Sequence, residues 1–322
     1  MAVAEQIELK AALPTPPGTS RNVIADLFAD EVARRSEGDI TVKVFPSGQL
    51  YDDTGVPQAL ASGSLDMAFP NLAHLSRFEP NADILSLPMM IGTDADVVYA
   101  LFDGEIGEDI LARLETKLRS KALSGVFAPG PAVDYTRDKH ITKFSDLEGL
   151  NLRVPGSPVM QAVAKAMGLI PVAMSSNDMI ISLAQGRLDG LVTTVQGGNS
   201  LKLWEAGVKY MWMDGSDWTA YLPLISNTVW DELSEEQQTL ITEAWAAVLP
   251  EAREVMAQDL AVSREALEAN GVTISSPTAE DIEAKRASLL EEQPAIVEEA
   301  GMDADLIDRA LTALDDIRVG AE

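Results

Sequence analysis

One short pattern occurs twice, far apart in the chain, and it constrains the fold more than any other feature. Residues 59–68 read Ala-Leu-Ala-Ser-Gly-Ser-Leu-Asp-Met-Ala, and residues 182–191 read Ser-Leu-Ala-Gln-Gly-Arg-Leu-Asp-Gly-Leu. Both contain Leu-Ala-x-Gly-x-Leu-Asp at the end of a helical stretch. The physical reading is a helix whose terminal glycine adopts the left-handed conformation, after which the chain enters a short buried strand. Two lobes of similar design account for the repetition most simply. The competing reading is that helix–Gly–strand turns are common in α/β proteins and that five identities arose by chance.

The flanking sequence alternates in the same manner. Ile7–Leu13 reads as a strand, and Pro14-Thr15-Pro16-Pro17-Gly18 as a loop, because stacked prolines and a glycine suit neither regular element. Ser20–Arg35 places Val23, Ile24, Leu27, Phe28 and Val32 at helical spacing, and Ile40–Phe45 is a β-branched alternating run. Strand, helix, strand is the unit that builds parallel sheets. Further strands are predicted at Ser124–Phe127, Leu150–Val154 and Ile170–Met174. Helices are predicted at Val159–Met167 and after Ser175 or Ser176, either of which suits an N-cap. Ser234-Glu235-Glu236-Gln237 is a capping-box pattern opening a long helix that Pro250 should bend rather than end. Two or three more helices fill Thr278–Arg318.

Composition narrows the function. The 322 residues carry 51 Asp and Glu against 24 Lys and Arg, a net charge of −27. Such an anionic field repels nucleic-acid phosphates and acidic lipid headgroups, so neither a nucleic-acid partner nor lipid insertion is expected. With no Cys and two His, disulfides, thiolate chemistry and a multi-histidine metal site are not expected, and no cofactor is implied. No apolar run reaches the roughly 18 residues needed to span a bilayer. Ala2-Val3-Ala4 has the small-x-small pattern found before a signal-peptidase cut, which leads us to expect an exported protein whose signal peptide is absent from this chain.

Catalytic motifs are lacking: no Gly-x-Ser-x-Gly, Gly-x4-Gly-Lys-Ser/Thr, Gly-x-Gly-x-x-Gly or His-Glu-x-x-His occurs. Asp52-Asp53 reads as a solvated turn. Arg153 is different. It lies in the apolar strand Leu152–Val154 just before Pro155-Gly156-Ser157-Pro158, so it emerges near a strand's carboxyl end, where open α/β sheets bind ligands. Its planar fork of donors matches a carboxylate. The alternative is an arginine paired with a neighbouring Asp or Glu.

The segment Asp146-Leu147-Glu148-Gly149-Leu150-Asn151-Leu152-Arg153-Val154-Pro155 resembles the "DLKGLKIRVP" signature of the DctP-type solute-binding proteins of TRAP transporters. Phe45-Pro46-Ser47-Gly48-Gln49-Leu50, Gly63-Ser64-Leu65-Asp66-Met67-Ala68, Leu87-Pro88 and Gly186-Arg187-Leu188-Asp189-Gly190 match that family in order and spacing from about Ile7 to Ser276. The resemblance implies an α/β, two-lobed periplasmic-binding-protein fold with hinge strands and a long lobe-spanning helix. It implies a periplasmic, non-enzymatic, monomeric receptor that closes on a small-molecule solute and delivers it to the transporter's membrane subunits. The expected divisions are 1–130 plus about 215–255 for one lobe, 131–214 plus about 256–280 for the other, and C-terminal helices over 281–322.

By the same resemblance Arg153 binds the solute carboxylate, Phe69, Asn71 and His74 line the first lobe's side, and Thr193 and Ser176 the second's. Trp218 and Asp134 join as pocket candidates. A second arginine found upstream in many acid-binding relatives is replaced here by Pro131-Ala132-Val133-Asp134-Tyr135-Thr136. A small monocarboxylate, hydroxy acid or zwitterion is therefore favoured over a large di-acid. With Asp134 and the aromatic Phe69 and Trp218, a small amine or amino alcohol is the alternative. A two-lobed lyase or isomerase and a ligand-free sensor are the competing classes, and core packing is the competing role for the tryptophans.

Overall fold

The computed structural model describes residues 6–174 and 176–320, without the side chains of 176, 177, 319 and 320. The Ala2-Val3-Ala4 pattern, Ser175 and the Ser176 side chain lie outside the described residues. The strands in chain order are β1 (Ile7–Ala12), β2 (Ile40–Phe45), β3 (Met67–Ala68), β4 (Ser120–Ala122), β5 (Pro131–Thr136), β6 (Asn151–Val154), β7 (Ile170–Ala173), β8 (Gly190–Thr194), β9 (Tyr210–Trp218), β10 (Leu224–Ser226) and β11 (Thr273–Ser275). They form two sheets, one in each of two compact units.

The first unit comprises Met1–Glu79, Phe102–Phe127 and Ala220–Met256. Its sheet has the order β2-β1-β3-β10-β4, with β1 parallel to β2 and β3, and β10 antiparallel to both its neighbours. The helix Ser20–Arg35 buries Ile24, Phe28 and Val32 of the predicted stripe together with Ala25, whereas Leu27 is half-buried and Val23 is exposed. Phe28, Phe69, Phe127 and Trp245 form an aromatic centre, with Phe69 edge-on to the other three at 6.1–6.5 Å. The Trp245 indole N–H donates to the Ser124 carbonyl at 2.9 Å, so this large side chain is buried without an orphaned donor. Ser120–Ala122, not Ser124–Phe127, is the strand here; Phe127 makes only an isolated bridge to Tyr221.

The second unit comprises Pro80–Leu101, Ala128–Thr219 and Ala257–Glu322. Its sheet runs β11-β9-β5-β8-β6-β7, with β8, β6 and β7 parallel and β5 antiparallel to β8 and β9. Residues 80–101, expected with the first lobe, cluster here instead. The reason is long-range packing: the 3-10 segment Pro80–Ser86 sits on β9 and on the helix Pro158–Ala166. Gln293 accepts from the Met89 N–H, and Arg318 donates to the Met89 carbonyl, both at 2.9 Å. The C-terminal region forms three helices, Ala279–Leu290, Gln293–Ala300 and Ala304–Gly320, within this unit.

The helix Glu235–Ala269 continues through Pro250 and supplies residues to both units. Its capping box is formed: Ser234 N–H donates to Gln237 Oε1 at 2.8 Å, and Gln237 N–H to Ser234 Oγ at 3.2 Å.

The repeated heptapeptide does one structural job twice. Gly63 and Gly186 have φ of 74° and 69°, and Leu65 and Leu188 are buried. Asp66 Oδ2 accepts the Lys10 N–H of β1 at 2.9 Å, and Asp189 Oδ2 the Asn151 N–H of β6 at 2.8 Å. The Asp66 carbonyl takes the Ser226 N–H of β10; the Asp189 carbonyl takes the Arg137 N–H just past β5. Each repeat thus locks its strand between one parallel and one antiparallel neighbour.

Candidate functional site

Arg153 is 4% exposed at the carboxyl end of β6, between the buried Leu152 and Val154. Its Nε donates to the Met174 carbonyl just past β7 at 3.0 Å, and its Nη1 reaches the Val192 carbonyl on β8 at 3.4 Å. The acceptors are main-chain atoms just past β7 and in the middle of β8, so the strands on either side of β6 hold the guanidinium near its carboxyl end, where such sheets bind ligands. The following turn is pinned too. Ser157 Oγ caps the next helix by accepting the Met160 N–H at 2.9 Å and donates to the Asp83 carboxylate.

Strand register assigns the remaining residues of this unit to faces. Arg153 lies opposite Leu191, which lies opposite Tyr135; Val133 lies opposite Thr193, and Pro131 opposite Trp218. Arg153, Thr193 and Trp218 therefore share one face. Asp134 faces the other way, beside Trp212 and Val192. The structure does not bring Asp134 to Arg153, so the amine alternative loses the carboxylate on which it rested. Ser176 begins the helix Ser176–Ala184.

Asp134 belongs to a buried acidic group. Burial, then the charges of Asp214 and Asp217, push its carboxyl well above the usual range. Burial likewise raises Asp83 to about 6, Asp214 to about 6 and Asp217 to about 8, with hydrogen bonds from Ser216 and, more weakly, the charge of Lys285 opposing the rise at Asp214. Ser86 and Ser157 hydrogen-bond Asp83 and temper its shift. No group of three or more His, Cys, Asp or Glu among the described residues is arranged to hold a metal ion.

In the first unit Phe69 is fully buried, and its ring belongs to the aromatic core rather than to a ligand surface. Asn71 caps the helical turn Leu72–Leu75, accepting the Ala73 N–H at 2.9 Å, and bridges to Tyr221. His74 lies in that turn and contributes the smallest of the effects that lower the Asp52 carboxyl, behind hydrogen bonds from Thr54 and Gly55.

Two residues of this unit escape a reading from sequence, Arg21 and Tyr221, and a third, Asp53, reads there only as part of a solvated turn. Arg21 is 6% exposed, donates from Nε to the Phe69 carbonyl at 2.8 Å and lies 4.5 Å from the centre of the Tyr221 ring. Its Nη1 is 3.6 Å from Asp53, so that acid serves an ion pair, not merely a solvated turn. The available signal was positional: Arg21 shares a helical face with Ile24, Ala25, Phe28 and Val32.

A family model described as "Bacterial extracellular solute-binding protein, family 7" (DctP) matches residues 14–299. The chain belongs to this family. A solute-binding protein of Roseobacter denitrificans is 28% identical over 273 residues, 84% of this chain and 82% of that one. The C4-dicarboxylate-binding periplasmic protein of Rhodobacter capsulatus is 26% identical over 250 residues, 76% and 72% of the two chains. The solved TRAP periplasmic solute-binding protein of Pseudomonas putida, with bound D-glucuronate, superposes with a TM-score of 0.84 at 26% identity, covering 94% of this chain and 96% of that one. DctP-family members are transport binding proteins. No described helix of this one is long and apolar enough to cross a membrane.

Proposed function

We propose that this DctP-family protein is the extracytoplasmic receptor of a TRAP transporter for a small organic acid, and that Arg153 binds the solute carboxylate. One observation carries the reading: a buried guanidinium near the carboxyl end of β6 is held by a main-chain carbonyl from each of the neighbouring parallel strand segments. Those neutral acceptors fix the plane and direction of the guanidinium, whose fork of donors matches a carboxylate. The relatives named for C4-dicarboxylate binding and for bound D-glucuronate support an acid as the class of solute.

Thr193 and Trp218, on the Arg153 face, would add a hydroxyl and an aromatic surface; Asn71 and His74 are kept as solute-lining candidates from the family pattern. Ser176 is retained from the family pattern. The protein works as a monomer outside the cytoplasm, hands the solute to the membrane subunits and leaves it chemically unchanged.

A thermal-shift screen of small organic acids, amino acids and amino alcohols tests the class. The expected outcome is stabilisation by acids alone. The ligand recovered after denaturing the loaded protein should be unaltered; turnover or stabilisation by amines alone would contradict the reading.

A further inference from the structure

A chain of buried hydrogen bonds runs from the end of β9 to the turn after Arg153. Asp83 stands at a kink in the segment Pro80–Ser86 and accepts at both oxygens: Ser86 Oγ donates to Oδ1 at 2.9 Å, and Ser157 Oγ to Oδ2. Ser86 also reaches Asp217 near the end of β9, and the hydrogen bond between them works against the rise that burial imposes on that carboxyl. Asp83, Ser86, Ser157 and Asp217 are each at most 8% exposed, and all four belong to the second unit.

Proton counting gives this chain a direction. A hydroxyl has one proton to donate. Ser157 spends its proton on Asp83 while its oxygen takes the Met160 N–H at 2.9 Å, and Ser86 spends its own on Asp83 as well. The bond between Ser86 and Asp217 therefore draws its proton from Asp217. Burial, then the charges of Asp83 and Asp214, keep that acid neutral, so it can donate. Ionised, it would leave two carboxylates facing one hydroxyl proton.

Ser157 is where the backbone is next held after Arg153. Arg153 is the last residue of β6 paired with β8, and Val154 the last paired with β7. Past Pro155 and Gly156, Ser157 caps the following helix, and its carbonyl accepts from Gln161 Nε2 at 3.1 Å. At the other end of the chain Asp217 directly precedes Trp218, which shares the Arg153 face.

The charges around these groups come from several elements. β9 adds Asp214, β5 adds Asp134, and the helix Ala279–Leu290 adds Lys285, which acts on Asp214. The helix Pro158–Ala166 carries one ionisable side chain, Lys165, and it is exposed. Asp303 meets the segment at Asn81, whose Oδ1 accepts the Asp303 N–H at 2.9 Å.

We propose that Asp83 is a positioning residue for the solute site, acting through Ser157 to hold the turn that follows Arg153 for as long as Asp217 keeps its proton. Ionisation of Asp217, through about 8, makes Asp83 and Asp217 compete for Ser86 and sets two like charges on either side of it. Asp83 then withdraws from Ser157, the turn loosens, and an acid binds more weakly. Solute affinity falls as pH rises from 7 to 9, a range over which the solute's own carboxylate stays ionised. The proposal rests on the carboxylate reading of Arg153.

Calorimetric titration of the full chain with D-glucuronate and with lactate, at pH 7, 8 and 9 and fixed salt, tests it in wild type, Asp217→Asn, Asp83→Asn and Arg153→Gln. The wild type should lose about threefold to tenfold in affinity from pH 7 to 9, within the limit of roughly tenfold per pH unit for one linked proton. Asp217→Asn, whose amide donates to Ser86 but cannot ionise, should remove that fall. Asp83→Asn should bind more weakly at pH 7 and show no alkaline fall; if it does not fold, Asp217→Asn decides the matter. Arg153→Gln should weaken both acids at every pH.

A flat wild-type profile, or the same fall in Asp217→Asn, would mean that Asp83 only braces the core; the Arg153 reading would then stand alone. Wild-type affinity in Arg153→Gln, or a wild type that binds neither acid, would overturn that reading and the positioning role with it.

Discussion

Asp134 and Trp212 stand opposite each other across β5 and β9, yet neither Asp134 Oδ2 nor the Trp212 indole N–H finds a hydrogen-bond partner among the described residues. Both side chains are buried. An unpaired buried carboxylate is costly, so the group favours its neutral form.

This arrangement sets a pH dependence with a definite sign. Asp83, Asp134, Asp214 and Asp217 all hold protons in the folded chain that the unfolded chain has already released near pH 4. Their contribution is present in acid and lost as pH rises, through about 6 for Asp83 and Asp214 and about 8 for Asp217. The slope is roughly 1 kcal/mol per pH unit for each proton so held. Calorimetry of the ligand-free protein at fixed salt should show the melting temperature falling between pH 5.5 and 8.5. Asp217→Asn should flatten the upper part of that fall. A melting temperature that rises over this range would be incompatible with the cluster as described.

Ser157 links the same cluster to the turn after Arg153. Ser157→Ala removes an N-cap and one hydrogen bond to Asp83, and should cost about 1–2 kcal/mol in urea unfolding. Aspartate is normally as good a cap as serine, but here it would place a second carboxylate against Asp83. Ser157→Asp should therefore be worse than Ser157→Ala at pH 8, with the gap narrowing at pH 5. The ordinary capping order at pH 8 would refute the contact.

The repeat glycines separate backbone strain from steric exclusion. Both take φ near +70°, so alanine at either costs about 1–2 kcal/mol. A Cβ at Gly63 would also lie 2.1 Å from Thr228 Oγ1, whereas at Gly186 the nearest atom is Arg137 Nη1 at 3.7 Å. Gly63→Ala should be the more destabilising in urea titration, and adding Thr228→Ala should bring it towards Gly186→Ala. Equal costs without Thr228→Ala would show that the packing is looser than described.

Elements with strong local periodicity were legible from the chain alone. Ser20–Arg35 and Ile40–Phe45 are found where their apolar spacing puts them, and the repeat aspartates sit at corresponding places in both sheets. β9 was not legible. Between Trp212, opposite Asp134, and Asp217, opposite Ala132, the register breaks and Met213-Asp214-Gly215-Ser216 interrupts the alternation. The membership of residues 80–101 depends on contacts with residues near 293 and 318, which no local pattern reveals. Site residues divide in the same way. Arg153 announces itself as a charge inside an apolar strand. The direction of Asp134 follows only from pairing register, and the burial of the Phe69 ring only from packing against Phe28, Phe127 and Trp245.

The central claim is that Arg153 meets a solute carboxylate, and titration calorimetry on Arg153→Gln tests it most directly. The acid that best stabilises the wild type should bind the variant about 1.5–3 kcal/mol more weakly, roughly tenfold to a hundredfold, while the ligand-free protein still unfolds cooperatively. Wild-type affinity in Arg153→Gln would contradict the claim.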